Sequence, residues 1–197
     1  FLTPDDKWRL YTEQRELTPA LRKALLFKED RWFEWHPGVN PLAVARAAWR
    51  NLTTGRRTSG ASTLTMQVAR LLQPAERTYG SKLREMARAL QLEWHYSKDE
   101  ILQLYVNLAP YGSNVEGLKS AALLYFQKSP EVLSLAEITA LVVVPNRPSS
   151  LRLGTHNAAV SAARDLWLRR SGEGGLFGKE QMADAPVQPL TVRLHEA

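Results

Sequence analysis

The chain has 197 residues, of which 44% are hydrophobic and 23% are charged, so its composition is that of a folded globular protein and not of a disordered one. The net charge of +6 favours an anionic partner, and nucleic acid, an acidic membrane surface and a phosphorylated substrate are all open on charge alone. The sequence contains no cysteine, which excludes disulfide bonds and a Cys-ligated metal.

The length predicts one domain over residues 1–197, with a core at about 17–170 and a loosely organised tail at 171–197. The longest apolar run, near residues 138–144, is too short to span a bilayer. The chain begins with Phe1 and not with Met, which indicates a fragment of a longer protein.

Helix start and stop signals occur along most of the chain. A capping residue followed by proline opens helices at Pro19 and Pro41. Ser62 is the predicted cap of a third helix, and capping boxes begin at Ser97 and Ser134. The predicted helices cover about 19–27, 41–54, 63–72, 81–95, 98–108, 116–127, 135–144 and 158–170. Strand-like alternation is confined to 189–194, so the predicted class is mainly α.

The helix at 81–95 is predicted to be amphipathic. Its apolar residues fall on one stripe, which in a surface helix usually faces the core. The stripe consists of Leu83, Met86, Ala87, Leu90 and Trp94.

Glu29 is a candidate general acid or base. It follows an apolar helix and precedes the aromatic cluster Trp32, Phe33 and Trp35. Burial beside aromatic rings disfavours a charged carboxylate and raises its pKa towards the range that proton transfer requires. The alternative is a helix end that carries ordinary surface acids. A single histidine such as His36, in the turn that follows, is more often structural than catalytic.

The segment 56–67, RRTSGASTLTMQ, is rich in hydrogen-bond donors at the start of a helix. Free backbone N–H groups and the helix dipole favour an anion there, and the hydroxyl groups and two arginines add to this. The spacing of a P-loop is missing, so nucleotide hydrolysis is not supported. A well-capped helix in a basic protein is the alternative interpretation.

A third candidate site lies on the helix at 81–95. Lys82 and Glu85 share one face, and Arg84 and Arg88 form an i, i+4 pair beside them. Several cations around one carboxylate suit a diphosphate, bound directly or through a metal that Glu85 bridges. A solvated helix face with salt bridges explains the same pattern.

The order of these segments resembles glycosyltransferase family 51, the peptidoglycan glycosyltransferases of class A penicillin-binding proteins. The motif E-D-x-x-F-x-x-H-x-G is matched at 29–38, and G-x-S-T-[LI]-T-x-Q is matched at 60–67. The motif R-K-x-x-E is matched at 81–85 with Ser81 in place of arginine, and K-x-x-I-L-E-x-Y-[LV]-N at 98–107 with Gln103 in place of glutamate.

Two later segments extend the resemblance to about residues 17–170. Residues 117–128 resemble the family's G-x-x-A-A-x-x-Y-F-G-K segment, with Gln127 at the glycine, and 145–149 resemble its P-x-x-P-S segment. The residues at 29–41, 62–72 and 88–98 are most similar to those of the penicillin-binding protein 1C branch.

The resemblance implies a lysozyme-like, two-lobed helical domain with a central cleft. It implies polymerisation of lipid II into β-1,4 glycan strands, with inversion at the anomeric carbon and release of undecaprenyl diphosphate. The expected location is the outer, periplasmic face of the bacterial cytoplasmic membrane, with an N-terminal anchor outside this fragment. Expected partners are lipid II, the growing undecaprenyl-diphosphate glycan chain, the membrane surface, moenomycin-type inhibitors and a C-terminal transpeptidase domain; nucleic acid is not expected.

The resemblance also implies roles for individual residues. Glu29 would be the catalytic base, and Glu85 would act at the donor diphosphate and hold a divalent cation, Mg²⁺ or Mn²⁺. The expected substrate-binding residues are Asp30, Phe33, His36, Arg56, Ser62, Thr63, Gln67, Arg70, Arg77, Lys82, Arg84 and Asn107.

Two other functions compete with the glycosyltransferase interpretation. A peptidoglycan hydrolase or lytic transglycosylase shares the lysozyme-like fold but has no use for cations around Glu85, because its leaving sugar is uncharged. A basic helical module that binds nucleic acid would explain the positive charge, and its cations should then form one continuous stripe.

Overall fold

The computed structural model describes residues 6–54, 61–76, 78–145, 147–173, 175–177 and 192. Within these ranges the chain is mainly helical, and the predicted fold class is confirmed. The strands are β1 (Trp8–Arg9) and β2 (Val115–Glu116). The α-helices are α1 (Pro19–Glu29), α2 (Pro41–Thr54), α3 (Leu64–Leu72), α4 (Tyr79–His95), α5 (Lys98–Leu108), α6 (Leu118–Ala121), α7 (Leu135–Val143) and α8 (Asn157–Glu173). Helix α6 continues as a π-helical turn (Ala122–Phe126), and single 3₁₀ turns lie at Gln14–Glu16, Phe33–Trp35 and Pro130–Val132.

Most helix starts agree with the capping signals. The capping box of Ser134 and Glu137 is present at the start of α7. The cap of α3 is Thr63 and not Ser62, because the Thr63 hydroxyl accepts the hydrogen bond from the Met66 N–H. The cap of α4 is Thr78, which accepts from Ser81 N–H, so α4 begins two residues earlier than predicted.

The sequence did not predict the two-stranded parallel sheet in which Trp8 pairs with Val115 and Arg9 with Glu116. Two-residue strands are too short to show an alternating pattern. The strand predicted at 189–194 lies outside the described residues, apart from Val192.

The chain divides into two compact units. The insert unit is Glu29–Tyr105, and the terminal unit combines residues 1–28 with 106–197. The prediction of a single domain with a cleft between lobes stays a prediction. None of the described helices combines the length and the apolar character that crossing a bilayer requires.

The core of the terminal unit is built around α7. Residues 138–143 of this helix are all buried, and α7 packs against α8. Complete burial of an aliphatic side chain contributes about 1.5–3 kcal/mol, so residues such as Ile138 and Leu141 hold this unit together. Asn107 joins α5 to the N-terminal segment, because its side chain accepts from the Thr12 N–H at 2.7 Å and donates to the Thr12 carbonyl at 3.2 Å.

The core of the insert unit lies between α3 and α4. Residues 64–69 of α3 are buried, and Ala89 is the buried residue at the centre of α4. Gly38 packs directly against α4: a Cβ atom there would lie 2.6 Å from the Ala89 carbonyl oxygen, and the φ angle of Gly38 is +84°. Only glycine meets both conditions without strain.

The apolar stripe predicted on α4 does not face this core. Leu83 is 67% exposed, Leu90 48% and Trp94 87%, and Ala87 is also exposed. The helix instead buries the face that carries Ala89. The usual association of an apolar stripe with the core is therefore wrong for this helix.

Candidate active site

Asp30 connects the loop after α1 to the N-terminus of α3. Its Oδ2 atom accepts a hydrogen bond of 2.9 Å from the N–H of Leu64, the first residue of α3. His36 Nε2 lies 3.0 and 2.9 Å from the two carboxylate oxygens. Both side chains are buried. A carboxylate at a helix N-terminus satisfies a free N–H group and is favoured by the dipole, so Asp30 fixes the loop to the helix.

Thr63 makes a second connection between the same segments. Its hydroxyl donates to the Gly38 carbonyl at 2.5 Å and accepts from the Met66 N–H at 3.1 Å. Because Thr63 is 3% exposed, both bonds are shielded from water. The two predicted motifs at 29–38 and 60–67 therefore form one hydrogen-bonded assembly.

Glu29 is the last residue of α1 and is half-buried. Its Oε2 atom accepts a hydrogen bond of 2.8 Å from Nε2 of Gln67, which lies in the first turns of α3. This bond orients the carboxylate. The aromatic burial expected around Glu29 holds only in part: Phe33 is 1% exposed, whereas Trp32 is 59% and Trp35 82% exposed.

Lys82 and Glu85 form the second polar group of the site. The Lys82 ammonium donates to Glu85 Oε1 at 2.5 Å and to the Ser62 hydroxyl at 2.7 Å. The side chain of Glu85 is 11% exposed and that of Lys82 is 36% exposed. Ser62 and Gln67 belong to one short segment, so the predicted base and the predicted diphosphate-binding pair are both attached to residues 62–67.

A third polar group, which the sequence reasoning missed, centres on Glu93. Its Oε1 atom accepts from the Thr65 hydroxyl at 2.6 Å and from the Lys98 ammonium at 2.7 Å. Lys98 also donates to the His36 carbonyl at 2.7 Å, and its ammonium lies 4.5 Å from the centre of the Phe33 ring. Through this part-buried ion pair, Glu93 of α4 is linked to the motif segments at 29–38, 60–67 and 98–107.

A signal for Glu93 was present in the sequence. Glu85, Ala89 and Glu93 are spaced four residues apart, and this spacing puts them on one face of α4. The motif resemblance includes Lys98 as a matched position but assigns no role to it.

The remaining predicted residues are placed differently. Arg70 and Arg84 are exposed, and no hydrogen bond or ion pair holds either one within the described ranges. Successive helix residues are about 100° apart, so Arg84 does not share the face of Lys82 and Glu85. Asn107 belongs to the terminal unit, and its amide is engaged by Thr12. Arg56, Arg77 and the motif glycine Gly60 lie outside the described residues.

The part of the chain that the structure describes has no group of three His, Asp or Glu side chains that could hold a metal ion. Glu85, the predicted ligand, already receives the Lys82 ammonium. A single carboxylate suits Mg²⁺ only when substrate phosphates provide further ligands. The donor set therefore fits a metal that arrives with a diphosphate, and not one held by the protein alone.

Together, the fold and the site define a class of protein. A mainly α chain that holds an oriented glutamate and a lysine–glutamate–serine group on one segment has the parts needed to transfer a sugar from an anionic leaving group. The chain matches the family model described as Transglycosylase over residues 2–171, and it belongs to that family. The resemblance to the peptidoglycan glycosyltransferase family is confirmed.

Relatives agree with this assignment. The chain is 47% identical over 190 residues to penicillin-binding protein 1C of Escherichia coli (strain K12), covering 96% of this chain and 25% of the relative. It is 35% identical over 186 residues to penicillin-binding protein 1A of Aquifex aeolicus (strain VF5), covering 94% of this chain and 26% of the relative. The chain thus spans about a quarter of these proteins.

The fold is also similar to that of a solved structure. The crystal structure of penicillin-binding protein 1A from Haemophilus influenzae matches with a TM-score of 0.56 and 18% identity, covering 96% of this chain and 19% of that one. At this identity the match supports the lysozyme-like helical fold alone.

Proposed function

We propose that the chain polymerises lipid II into β-1,4-linked glycan and releases undecaprenyl diphosphate. The observation that carries this proposal is the attachment of two functional groups to one segment: Gln67 orients the Glu29 carboxylate, and Ser62 receives the Lys82 ammonium that also pairs with Glu85. A base and a cation that are hydrogen-bonded to the same segment suit a reaction in which a hydroxyl attacks a sugar carbon while a diphosphate leaves that carbon.

In this mechanism Glu29 removes the proton from the 4-hydroxyl of the acceptor GlcNAc. The hydroxyl oxygen forms the new bond to the anomeric carbon of the donor from the face opposite the diphosphate, and the bond to the diphosphate breaks. The α-linked donor therefore gives a β-linked product. No strong general acid is needed, because the diphosphate can leave once its negative charge is stabilised.

Lys82 is the cation best placed to stabilise that charge, since Glu85 and Ser62 hold its ammonium in position. Ser62, Thr63 and Gln67 line the donor side in this proposal. In this proposal Arg56, Arg70 and Arg77 supply further positive charge to the lipid diphosphate, whereas Arg84, on another face of α4 from Lys82, does not take part. Asp30 and His36 act by fixing the loop that follows Glu29 and carries Phe33.

A divalent cation, Mg²⁺ or Mn²⁺, would bind together with the donor, with Glu85 as its protein ligand, and would supply charge neutralisation at the leaving group. Glu85→Gln should then lose more activity at low divalent-ion concentration than at high. An equal loss of activity at both concentrations would show that Glu85 does not handle a metal.

The proposed setting is the outer face of the bacterial cytoplasmic membrane, where lipid II is presented. The relatives named penicillin-binding proteins are about four times longer than this chain, which supports a further transpeptidase domain in the whole protein. Moenomycin-type inhibitors, which carry a phosphate, are expected ligands of the donor side.

The deciding experiment uses purified chain, lipid II in detergent, and separation of the products by length. Wild type should lengthen glycan, and Glu29→Gln should lower turnover by at least about a thousandfold while lipid II binding is retained. Glu131→Gln, at an exposed glutamate of the terminal unit, is the matched control and should retain full turnover. Retained turnover in Glu29→Gln would refute the assignment of the base.

The same preparation tests the rival hydrolase. Finished sacculi are incubated with the wild-type chain, and soluble fragments are measured. Cleavage of sacculi without polymerisation of lipid II would replace the transferase proposal with a lytic activity.

A further inference from the structure

Helix α4 presents three faces with different chemistry. The first carries Lys82, Glu85 and Glu93, the polar groups of the site. The second is the exposed apolar stripe of Leu83, Ala87, Leu90 and Trp94. The third carries Arg84, Arg88, Gln91 and His95, whose spacing of three and four residues aligns them along the helix.

A groove of about 270 Å³ lies along this third face, between α3 and α4 within the insert unit. Leu72 and Leu92 contribute apolar surface to its lining. Arg88, Gln91, His95 and Tyr96 contribute polar side chains. The groove is thus amphipathic, with donors beside an apolar wall.

Arg88 is the cation of the groove. It is half-buried, and within the described part of the chain no carboxylate pairs with it. The groove lining contains no acidic residue. A partly desolvated guanidinium beside amide, imidazole and hydroxyl groups favours a phosphate, which it can bind through two parallel hydrogen bonds.

The neighbouring stripe indicates what is attached to that phosphate. Leu83, Leu90 and Trp94 expose most or nearly half of their surfaces on the face next to the arginines. Helices with a basic face beside an aliphatic and tryptophan face lie in the interface of acidic membranes, with the apolar side chains at the acyl boundary. The two adjoining faces therefore match the two parts of a phospholipid.

We propose that the Arg88 groove binds the phosphate headgroup of an acidic membrane phospholipid, while the Leu83–Trp94 stripe contacts the acyl region. The proposal rests on the membrane setting of the proposed function and names the chemistry that the protein recognises there. The lipid diphosphate substrate belongs to the Lys82 face of the same helix, so the two phosphate sites are distinct. Arg84 lies one turn before Arg88 and adds to the positive field.

The experiment measures sedimentation of the chain with vesicles of phosphatidylcholine alone and with phosphatidylglycerol added. Wild type should prefer the acidic vesicles. Arg88→Glu changes two charge units at the surface, so its binding to acidic vesicles should weaken roughly 25-fold. Arg169→Glu, at an exposed arginine of α8, makes the same change in net charge and should have a much smaller effect. If the two variants lose binding to acidic vesicles equally, net charge alone explains the preference for these vesicles, and the proposal is overturned.

A second variant tests the groove apart from its charge. Gln91→Trp fills the groove and keeps every cation, and since Gln91 is exposed the substitution does not disturb the core. Chemical shifts of the His95 ring should move with soluble dihexanoyl phosphatidylglycerol in wild type and not in Gln91→Trp. Shifts that persist in the variant would show that the groove is not the site.

Two further measurements are needed. One distinguishes a lipid headgroup from free phosphate, and the other distinguishes the headgroup proposal from the proposed function. If inorganic phosphate displaces the short-chain lipid at similar concentration, the groove is a site for free anions and the lipid assignment fails. Glu29→Gln should keep the preference for acidic vesicles, because the base plays no part in it. Failure of wild type to polymerise lipid II, with the vesicle preference intact, would refute the proposed function and leave the headgroup site standing.

Discussion

In the terminal unit, α7 is buried almost completely and its contacts are mostly aliphatic. The insert unit is built differently: its motif segments are joined by buried hydrogen bonds of Asp30 and Thr63 and by part-buried ones of Glu93. Among the described residues, eleven of the fourteen large hydrophobic side chains that are exposed belong to the insert unit. The insert unit therefore exposes part of its apolar surface to solvent, and polar contacts hold its motif segments together.

The difference has a physical consequence. Aliphatic packing tolerates changes of similar volume, whereas a buried polar network loses heavily when one partner is removed. We expect the insert unit, which carries the candidate site, to be the more sensitive of the two to single substitutions.

The largest effect is expected at Asp30. Asp30→Ala leaves His36 and the Leu64 N–H buried without their acceptor, which should cost about 3–5 kcal/mol. Glu116→Ala in the terminal unit breaks more exposed pairs with Lys7 and Arg9 and should cost about 1 kcal/mol. Urea unfolding measures both. Similar losses in the two variants would contradict the comparison.

The next effect concerns two glycines with positive φ. Gly38→Ala combines left-handed strain with a clash against the Ala89 carbonyl and should cost about 3 kcal/mol. Gly175→Ala has the same kind of φ, +65°, but no atom within 4 Å of the added Cβ, so it should cost only about 1 kcal/mol. Thermal unfolding of the two variants tests whether the clash with Ala89 adds to the cost of a positive φ angle at Gly38; equal losses of stability would contradict this.

A matched pair of glutamates sharpens the comparison at the level of activity. Glu93→Gln weakens the bonds to Thr65 and Lys98, which position the site, and should lower kcat about tenfold with KM nearly unchanged. Glu137→Gln weakens an ion pair of the same 2.7 Å length with Lys128 in the terminal unit. It should reduce stability slightly and leave kcat unchanged. A loss of kcat in both variants would point to general destabilisation.

The smallest effect is a pH dependence in the terminal unit. Burial raises the pKa of Tyr125 above its ordinary value of 10.0, while Arg152 acts in the opposite direction. The folded state therefore holds this proton more tightly than the unfolded state, and stability falls as pH rises from about 10 through the folded pKa. Tyr125→Phe should flatten that fall in urea midpoints. The same fall in wild type and in Tyr125→Phe would show that Tyr125 is not its source.

The sequence allowed much of the fold to be predicted because caps and prolines act locally. Pro19, Pro41 and the Ser134 capping box each mark a helix start that the structure contains. The β1–β2 pair was not predictable, since Trp8 and Val115 are far apart in the chain and each strand has two residues. The cap of α3 moved to Thr63 because the hydroxyl that reaches the Met66 N–H depends on the local turn geometry.

The candidate site was predictable in its members more than in its connections. The motif resemblance named Glu29, Lys82 and Glu85. In the structure Glu29 and Lys82 contact residues 62–67 directly, and Glu85 pairs with Lys82. The resemblance gave no role to Glu93, and it did not indicate that Asp30 accepts from the first N–H of α3. The spacing of Glu85 and Glu93 puts the two on one face of α4, but the partners of Glu93 and Asp30 lie in segments far apart in sequence, and such contacts leave no local pattern.

The sequence by itself determined the helical class and the family, and it named Glu29 and Glu85 as candidates, because motif spacing and capping are properties of neighbouring residues. Only the tertiary structure decided which face of α4 is buried. Helical periodicity fixes that Leu83, Leu90 and Trp94 share one face and Glu85 and Glu93 another, but packing selects the face that meets α3. Here the polar face is turned inward because Gly38, Thr65 and Lys98 offer it close contact and hydrogen bonds, and the apolar face is left on the surface.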